Sequence, residues 1–198
     1  MKKTVFVLLA LLVSLSLSAQ RFSYRGFSGG MMLHAGWIDG GDINVGGLQQ
    51  SMNGVTKGIG GALKVQFGDH LRIGTEGYTS ALSYGDYGSS LSVGWGGLLV
   101  DWAFENRRGR IGYFGATVGG GVVKNLTLSE EPADDFVAED NLSFRKYGVP
   151  IVAPFVGTEL PLTERINLTV KADYLIPIGN APDFPSGVRL YVGFMFKH

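Results

Sequence analysis

The chain has 198 residues, and its 17 basic and 17 acidic side chains cancel to a formal charge of zero. This balance, without any polybasic segment, excludes the strongly basic surfaces that bind nucleic acids, so we expect no nucleic-acid partner. The absence of cysteine excludes lipoprotein attachment, disulfides and thiol chemistry. Glycine is frequent, with 31 residues, whereas only 17% of the residues are charged.

The first 20 residues have the pattern of a secretory signal. Two lysines precede an apolar stretch, Val5–Leu17, and Ser18–Gln20 resembles a small-residue cleavage site. Because a membrane-spanning helix needs about 20 apolar residues, this stretch is too short for an anchor. We therefore expect residues 1–20 to be a cleaved signal peptide and residues 21–198 to form one domain.

The first part of the mature chain reads as strands separated by turns. Apolar and polar residues alternate over about Gly26–Trp37 and again over about Lys57–Phe67, which is the period of a strand with two different faces. The polar, glycine-rich residues 38–56 between them predict a long connection. Gly68–Asp69 is typical of a two-residue hairpin turn, and a third strand begins at Leu71.

The fourth strand, Leu91–Phe104, contains a change of phase. Its first apolar residues have odd numbers and its later ones have even numbers. A β-bulge at Gly96–Gly97 reconciles the two halves and turns Asp101 inward; without the bulge, Asp101 faces outward.

The fifth and sixth strands are less regular. We predict the fifth over about Ile111–Val123 and the sixth over about Tyr147–Glu159, joined by the longest and most acidic connection. Two prolines weaken the sixth strand, because proline cannot donate to the ladder. The predicted outward residues are Phe114, Ala116, Val118 and Val122 of the fifth strand and Val149, Ile151, Ala153 and Phe155 of the sixth.

The last two strands show the clearest alternation. Arg165–Ile176 and Val188–Phe196 each have one apolar and one largely polar face. The apolar positions are Ile166, Leu168, Val170, Ala172, Tyr174 and Ile176, then Val188, Leu190, Val192, Phe194 and Phe196.

Eight strands with alternating longer and shorter connections predict an all-β fold, an eight-stranded antiparallel up-and-down transmembrane β-barrel. No second apolar stretch is long enough for a spanning helix, and an open sheet edge would leave unpaired backbone groups in hydrocarbon. An even strand number puts both termini at the short-turn, periplasmic end. Aromatic residues predict a girdle at each end: Phe67, Trp102, Phe104, Phe114, Phe194 and Phe196 at one, Trp37 and Tyr174 at the other.

With its signal Met1–Gln20, its paired strands and its ending Tyr191–His198, the chain resembles the small eight-stranded barrels of the OmpA/OmpX type. The resemblance implies a bacterial outer-membrane location and recognition of the C-terminal aromatic pattern by the barrel assembly machinery. It also implies a monomer surrounded by outer-membrane lipid and lipopolysaccharide. The chain departs from the family pattern in that Lys197 and His198 follow Phe196.

The polar faces of these strands predict a charged lumen. An eight-stranded bore is just wide enough for side chains to fill it, and buried charges must pair. We therefore expect a plugged, non-enzymatic barrel, with a narrow channel as the alternative. A water-soluble ligand-binding barrel, with the apolar faces inward, is a further alternative. The predicted lumen charges are Lys64, Arg72, Glu76, Asp101, Arg165, Lys171, Asp173 and Arg189.

A lipid-modifying enzyme is the alternative from another functional class. Only His34 is a candidate general base, because His70 lies at a turn and His198 is the last residue. Its position in the alternation points it into the lumen, in the direction of Glu76 and away from a membrane acyl chain, so we expect an interior hydrogen-bonding role.

The most acidic segment, residues 130–140, has six acids among its eleven residues. Its spacing lacks the ordered ligands and the glycine of a calcium loop, so we expect neither a metal site nor a cofactor. Like charges repel, which favours a solvated loop. Phe136 and Val137 at its centre are candidate contact residues for a partner.

Overall fold

The computed structural model describes residues 23–130, 142–179, 181 and 184–198. In these residues no helix is long and apolar enough to cross a membrane. The strands are β1 Tyr24–Val45, β2 Leu48–Phe67, β3 Leu71–Tyr84, β4 Ser89–Glu105, β5 Ile111–Leu128, β6 Leu142–Pro161, β7 Ile166–Tyr174, β8 Ile176–Pro177 and β9 Ser186–Lys197. Only Leu175 separates β7 from β8, and both pair with β6, so they are two parts of one barrel strand.

The sheet closes on itself, which confirms the predicted eight-stranded antiparallel barrel. β1 pairs with both β2 and β9, and the pairing of β5 with β6 completes the ring. If each residue is followed to its Cα partner on the next strand, starting from Phe67, one full circuit of the barrel returns to the same strand at Lys57. The strands are therefore staggered by ten residues per circuit. With spacings of about 3.3 Å along and about 4.8 Å between strands, this stagger requires a tilt of about 40°. Ten residues of strand therefore rise about 25 Å along the barrel axis.

The two ends of the barrel differ. The short-turn end carries the connections 68–70, 106–110 and 162–165 together with both ends of the sheet, whereas the remaining connections lie at the loop end. The turn predicted at Gly68–Asp69 has three residues, because Phe67 pairs with Leu71.

The long connection predicted at 38–56 is wrong. β1 and β2 stay paired up to Val45 and Leu48, and the chain reverses at Gly46–Gly47. Both glycines have positive φ values, 59° and 78°, which side-chain-bearing residues rarely adopt. The hairpin extends beyond the apolar part of the barrel, so both of its faces carry polar residues and the alternation that reveals a strand is lost.

The exterior of the barrel is an apolar belt about 25 Å high. Large apolar side chains are widely exposed there; Leu98 is 67% and Met31 is 65% exposed. In β2, counting towards the loop end from Phe67, the first outward-facing charged residue is Lys57, ten residues further along. This height equals the apolar band of outer-membrane barrels.

The predicted bulge in the fourth strand is absent. The register of β4 with β3 and β5 runs without a shift through Gly96–Gly97. Asp101 is nevertheless buried, because the odd-numbered residues of β4 face inward along its whole length. The apolar residues Leu91, Val93 and Trp95 therefore belong to the lumen, not to the exterior.

The predicted facing of the sixth strand is wrong as well. Val149, Ile151, Ala153 and Phe155 are all buried inside the barrel, whereas Val156 is exposed. They pack into apolar clusters of the lumen. The reason is that the lumen contains apolar as well as charged side chains along β6, so apolar character does not mark the outward face there.

The other predicted faces are correct. In β5, Phe114, Val118 and Val122 are exposed and Ala116 is half-buried. In the last two barrel strands the apolar positions are exposed or half-buried, and the alternate positions Thr169, Lys171, Asp173 and Arg189 are buried.

Candidate functional site

Near the short-turn end, charged side chains from four strands meet in the lumen. Arg72 of β3 donates to Asp101 of β4 through Nε (2.6 Å) and Nη2 (3.0 Å), and to Glu159 of β6 through Nη1 (2.7 Å). Lys64 of β2 lies 3.0 Å from Asp101 and 3.7 Å from Glu159. Asn167 of β7 donates to the second oxygen of Glu159 at 3.1 Å. These five residues form the short-turn cluster, which ties strands together across the bore.

An aromatic ring covers the two cations of this cluster. The Lys64 ammonium lies 4.2 Å and the Arg72 guanidinium 4.8 Å from the centre of the Tyr113 ring. Such cation–π contacts stabilise cations more strongly where water is excluded. Tyr113 also packs edge-on against Phe155, so the cluster has an apolar wall on its inner side.

A second group of charges, the middle cluster, lies further from the short-turn end. Lys171 of β7 lies 2.8 Å from Glu76 of β3 and 3.6 Å from Asp173 of its own strand. Thr117 of β5 donates to Glu76 at 2.6 Å. The rings of Tyr78, Phe155 and Tyr191 surround the ammonium group, with centres at 4.9, 4.9 and 4.6 Å. The ammonium group is therefore enclosed by carboxylates and aromatic faces.

Arg189 of β9 is the lumen charge nearest the loop end. Its side chain is fully buried and donates to the carbonyl oxygens of Pro185 (3.1 Å) and Gly187 (3.4 Å). In the register of β7 with β9 it lies opposite Asp173. The guanidinium thereby fastens the segment before β9 to the inner wall.

The structure changes the predicted set of lumen charges in two places. Arg165 is exposed in the turn before β7, because the strand begins only at Ile166. Glu159, which is absent from the predicted set, is 1% exposed and binds both cations of the short-turn cluster. In the described residues the buried charges therefore balance, with Lys64, Arg72, Lys171 and Arg189 against Glu76, Asp101, Glu159 and Asp173.

A polar network at the loop end was also missed. The side-chain amide of Gln50 in β2 donates to the carbonyl oxygen of Leu128 at 2.5 Å, and Ser89 donates to Gln50 at 2.9 Å. Tyr84 of β3 donates to Asn125 of β5 at 2.5 Å. β5 is not a neighbour of β2 or β3 in the ring, so these bonds cross the loop-end mouth of the lumen. These bonds involve only uncharged side chains, which form no sequence motif that predicts the network.

His34 lies inside the barrel, as predicted, but not beside Glu76. Its Nε2 is 2.6 Å from the hydroxyl oxygen of Ser80, and both residues are buried. The rings of Tyr78 and Tyr191 pack against it. Its Nδ1 has no hydrogen-bond partner in the described part of the chain, so no carboxylate orients the ring as a catalytic triad requires.

The remaining candidates lie elsewhere. Phe136 and Val137 fall in residues 131–141, outside the described part of the chain. Within the described ranges no group of histidines and acids has the arrangement of a metal site.

No protein-family model matches the sequence, and no curated protein matches it. Solved structures do resemble the fold. The outer membrane protein OprG from Pseudomonas aeruginosa superposes with a TM-score of 0.58 at 12% identity, covering 90% of this chain and 97% of that one. Neisserial surface protein A gives 0.55 at 15% identity, covering 87% and 97%. Ail, the attachment invasion locus protein of Yersinia pestis, solved in complex with the heparin analogue sucrose octasulfate, gives 0.55 at 10% identity, covering 88% and 99%.

These structures cover most of this chain and nearly all of their own length, while their sequences have diverged almost completely from it. This chain therefore has the fold of the small eight-stranded outer-membrane β-barrels.

Proposed function

We propose that this protein is a monomeric, non-enzymatic integral protein of the bacterial outer membrane that acts through its exposed loops. Its termini face the periplasm. The observation that carries the proposal is the contrast between the two faces of the sheet: the outside has an uncharged apolar belt about 25 Å high, and the inside has eight buried charges among the residues that the structure describes. A water-soluble barrel needs the opposite arrangement.

Membrane insertion is tested by expressing the full chain and fractionating the envelope. We expect the protein in the outer-membrane fraction, with a gel mobility that changes on heating because the folded barrel resists detergent. Recovery from the soluble periplasm without detergent, with unchanged mobility, would contradict the proposal.

The contacts between side chains in the lumen favour a closed barrel rather than a channel. The Arg72 side chain of β3 contacts Glu159 of β6, three strands away in the ring, and Lys171 of β7 contacts Glu76 of β3 on the opposite side of the bore. Opening a path requires separating buried ion pairs, which costs several kcal/mol per unpaired ion. In a planar bilayer the purified protein is expected to give no stable single-channel steps. Reproducible steps of constant size would favour the channel.

The absence of enzymatic activity is part of the proposal and rests on the position of His34. The barrel wall lies between this side chain and any lipid, and tyrosine rings cover it. Replacing His34 by alanine should leave the mass spectrum of lipid A unchanged in cells that express the protein. A change in acylation that depends on His34 would establish an enzyme.

The surface role is assigned to the acidic loop. Residues 130–140 carry six acids around Phe136 and Val137, a composition suited to a cationic or apolar partner rather than to a sulfated polysaccharide. Deleting residues 129–141, which shortens the β5–β6 connection, should reduce adhesion or partner binding while the heat-dependent mobility is retained. Unchanged binding by the deletion variant would show that this loop is not the contact surface.

A further inference from the structure

Four exposed arginines lie on two neighbouring turns at the short-turn end of the barrel. Three belong to the turn between β4 and β5, and the fourth belongs to the turn between β6 and β7. β5 pairs with β6, so the turns are adjacent, and a Cβ added at Gly109 would lie 3.5 Å from the side chain of Pro161. The arginine patch consists of Arg107, Arg108, Arg110 and Arg165.

Polar side chains within the two turns hold the backbone that carries these arginines. The Oδ1 atom of Asn106 accepts hydrogen bonds from the backbone N–H groups of Arg108 (2.9 Å) and Arg110 (3.1 Å). The Oγ1 atom of Thr163 accepts one from the backbone N–H group of Arg165 (3.3 Å). Because the backbone is already ordered, a ligand of the patch binds at a smaller cost in conformational entropy.

The charge of the arginine patch is not neutralised within the barrel. Among the residues that the structure describes, none of its guanidinium groups forms an ion pair. Glu105 and Glu164 lie next to the patch, so four arginines and two acids leave a net charge of +2. Residues 1–22 contain no acid, and the other residues outside the described ranges connect strands at the loop end. By contrast, Arg25 at the same end pairs with Asp69 at 2.6 Å.

The patch lies at the depth of lipid headgroups. Phe104 and Phe114 stack on the outer face with ring centres 5.9 Å apart, within the aromatic girdle predicted at this end. Arg110 is four residues from Phe114, which places it about 10 Å nearer to the short-turn end. The headgroup layer on each side of a bilayer is about 5–7 Å thick. The arginines just beyond the girdle are therefore within reach of lipid phosphates.

We propose that the arginine patch binds an anionic phospholipid whose headgroup contains two phosphodiester groups. A guanidinium group stays charged and forms two parallel hydrogen bonds to one phosphate. Two phosphates in one headgroup match arginines on two neighbouring turns, whereas a lipid with a single phosphate engages one turn. Clusters of basic residues beside a membrane span attract anionic headgroups in this way. The inference rests on the proposed membrane location and places the site in the periplasmic leaflet.

The test is native mass spectrometry of the full-length protein released from nanodiscs that contain equal amounts of cardiolipin, phosphatidylglycerol and phosphatidylethanolamine. We expect the wild type to retain cardiolipin, which has two phosphodiester groups, at least fivefold more than phosphatidylglycerol. R108Q/R165Q removes one guanidinium from each turn and should lower the retained cardiolipin at least fivefold. R108K/R165K keeps both charges but not the paired hydrogen bonds and should lower it at least twofold. Arg25→Gln, the control at the same end, should change it less than twofold.

Heat-dependent gel mobility of every variant separates this proposal from the membrane assignment. Variants that insert normally yet retain cardiolipin like the wild type would overturn the lipid site alone. Equal retention of phosphatidylglycerol and cardiolipin would also overturn it, as would an equal loss in Arg25→Gln, because both results indicate attraction to the charge of the whole barrel end. Co-sedimentation with purified peptidoglycan that R108Q/R165Q abolishes, without any lipid preference, would assign the patch to a cell-wall polymer and overturn the lipid proposal.

Discussion

Arg72 and Asp101 form a bidentate ion pair in the interior of the barrel. The Nε–Oδ1 and Nη2–Oδ2 distances are 2.6 and 3.0 Å, and both side chains are at most 3% exposed. Parallel hydrogen bonds between a guanidinium and a carboxylate are among the strongest side-chain interactions. The two residues are direct partners in the register of β3 with β4, so the pair follows from the strand alignment itself.

Replacing Asp101 by asparagine should lower the free energy of unfolding by about 3 kcal/mol, because it leaves two buried cations facing one carboxylate. The measurement is urea unfolding of the barrel in lipid vesicles, followed by tryptophan fluorescence. The control is Asp69→Asn, which breaks the exposed Arg25–Asp69 pair at 2.6 Å and should cost less than about 1 kcal/mol. Equal losses in the two variants would show that the buried cluster does not support the barrel.

Lys171 and Glu76 should be energetically coupled. Removing either residue leaves a buried charge without its main partner, whereas removing both leaves neither. Glu76→Gln and Lys171→Met should therefore show a coupling free energy of about 1–3 kcal/mol in a double-mutant cycle of urea unfolding. Lys171→Met combined with Asp69→Asn, at a distant exposed site, should be additive within about 0.5 kcal/mol. Additivity of the first pair would contradict the coupling.

Close strand contact at Gly74 makes a side chain there costly. A Cβ would overlap the carbonyl oxygen of Leu63 and lie 2.8 Å from the Cα atom of Lys64, both in the backbone of β2. Gly74→Ala should lower the stability by about 3 kcal/mol or prevent folding, because backbone atoms must move. Gly112→Ala, in open space, is the matched control. The folded fraction after refolding into detergent, measured by heat-dependent mobility, distinguishes the two; equal yields would refute the predicted contact.

An arginine on the outer face should cost stability according to its depth. Val118 lies in the middle of the uncharged outward-facing residues of β5, Gly112 to Val122, whereas Leu126 lies beyond Lys124 and outside the belt. Val118→Arg should therefore cost about 2–4 kcal/mol in lipid vesicles and Leu126→Arg at most about 1 kcal/mol. A reversed order of these losses would place the membrane elsewhere on the barrel.

The sequence predicts this fold best where the lumen is polar. Thr169 and Lys171 face inward between outward-facing apolar residues, so β7 shows its two faces directly. In β6 both faces are apolar, since Ile151 fills the lumen while Val156 is exposed. Alternation then identifies a strand without saying which side is outside.

The errors in the predicted lumen charges have the same origin. The alternation places Val149 and Phe155 on the outer face, and Glu159, which shares their side of β6, is therefore missing from the predicted lumen set. Arg165 is in the predicted set because the alternation of β7 continues one residue into the preceding turn. Contacts across the bore, such as Lys171 with Glu76, depend on barrel closure and on the stagger of the strands, which local patterns do not encode.

The face of the sheet that contacts lipid can be measured directly, because the sequence contains no cysteine. Single cysteines at successive positions from Leu168 to Tyr174 would carry spin labels in proteoliposomes, with collision rates measured for oxygen and for a water-soluble nickel complex. The predicted result alternates: labels at Leu168, Val170 and Ala172 collide mainly with oxygen, while those at Thr169 and Lys171 are shielded from both reagents. Enclosed labels at Leu168 and Val170, together with high nickel accessibility at Lys171, would contradict the membrane barrel.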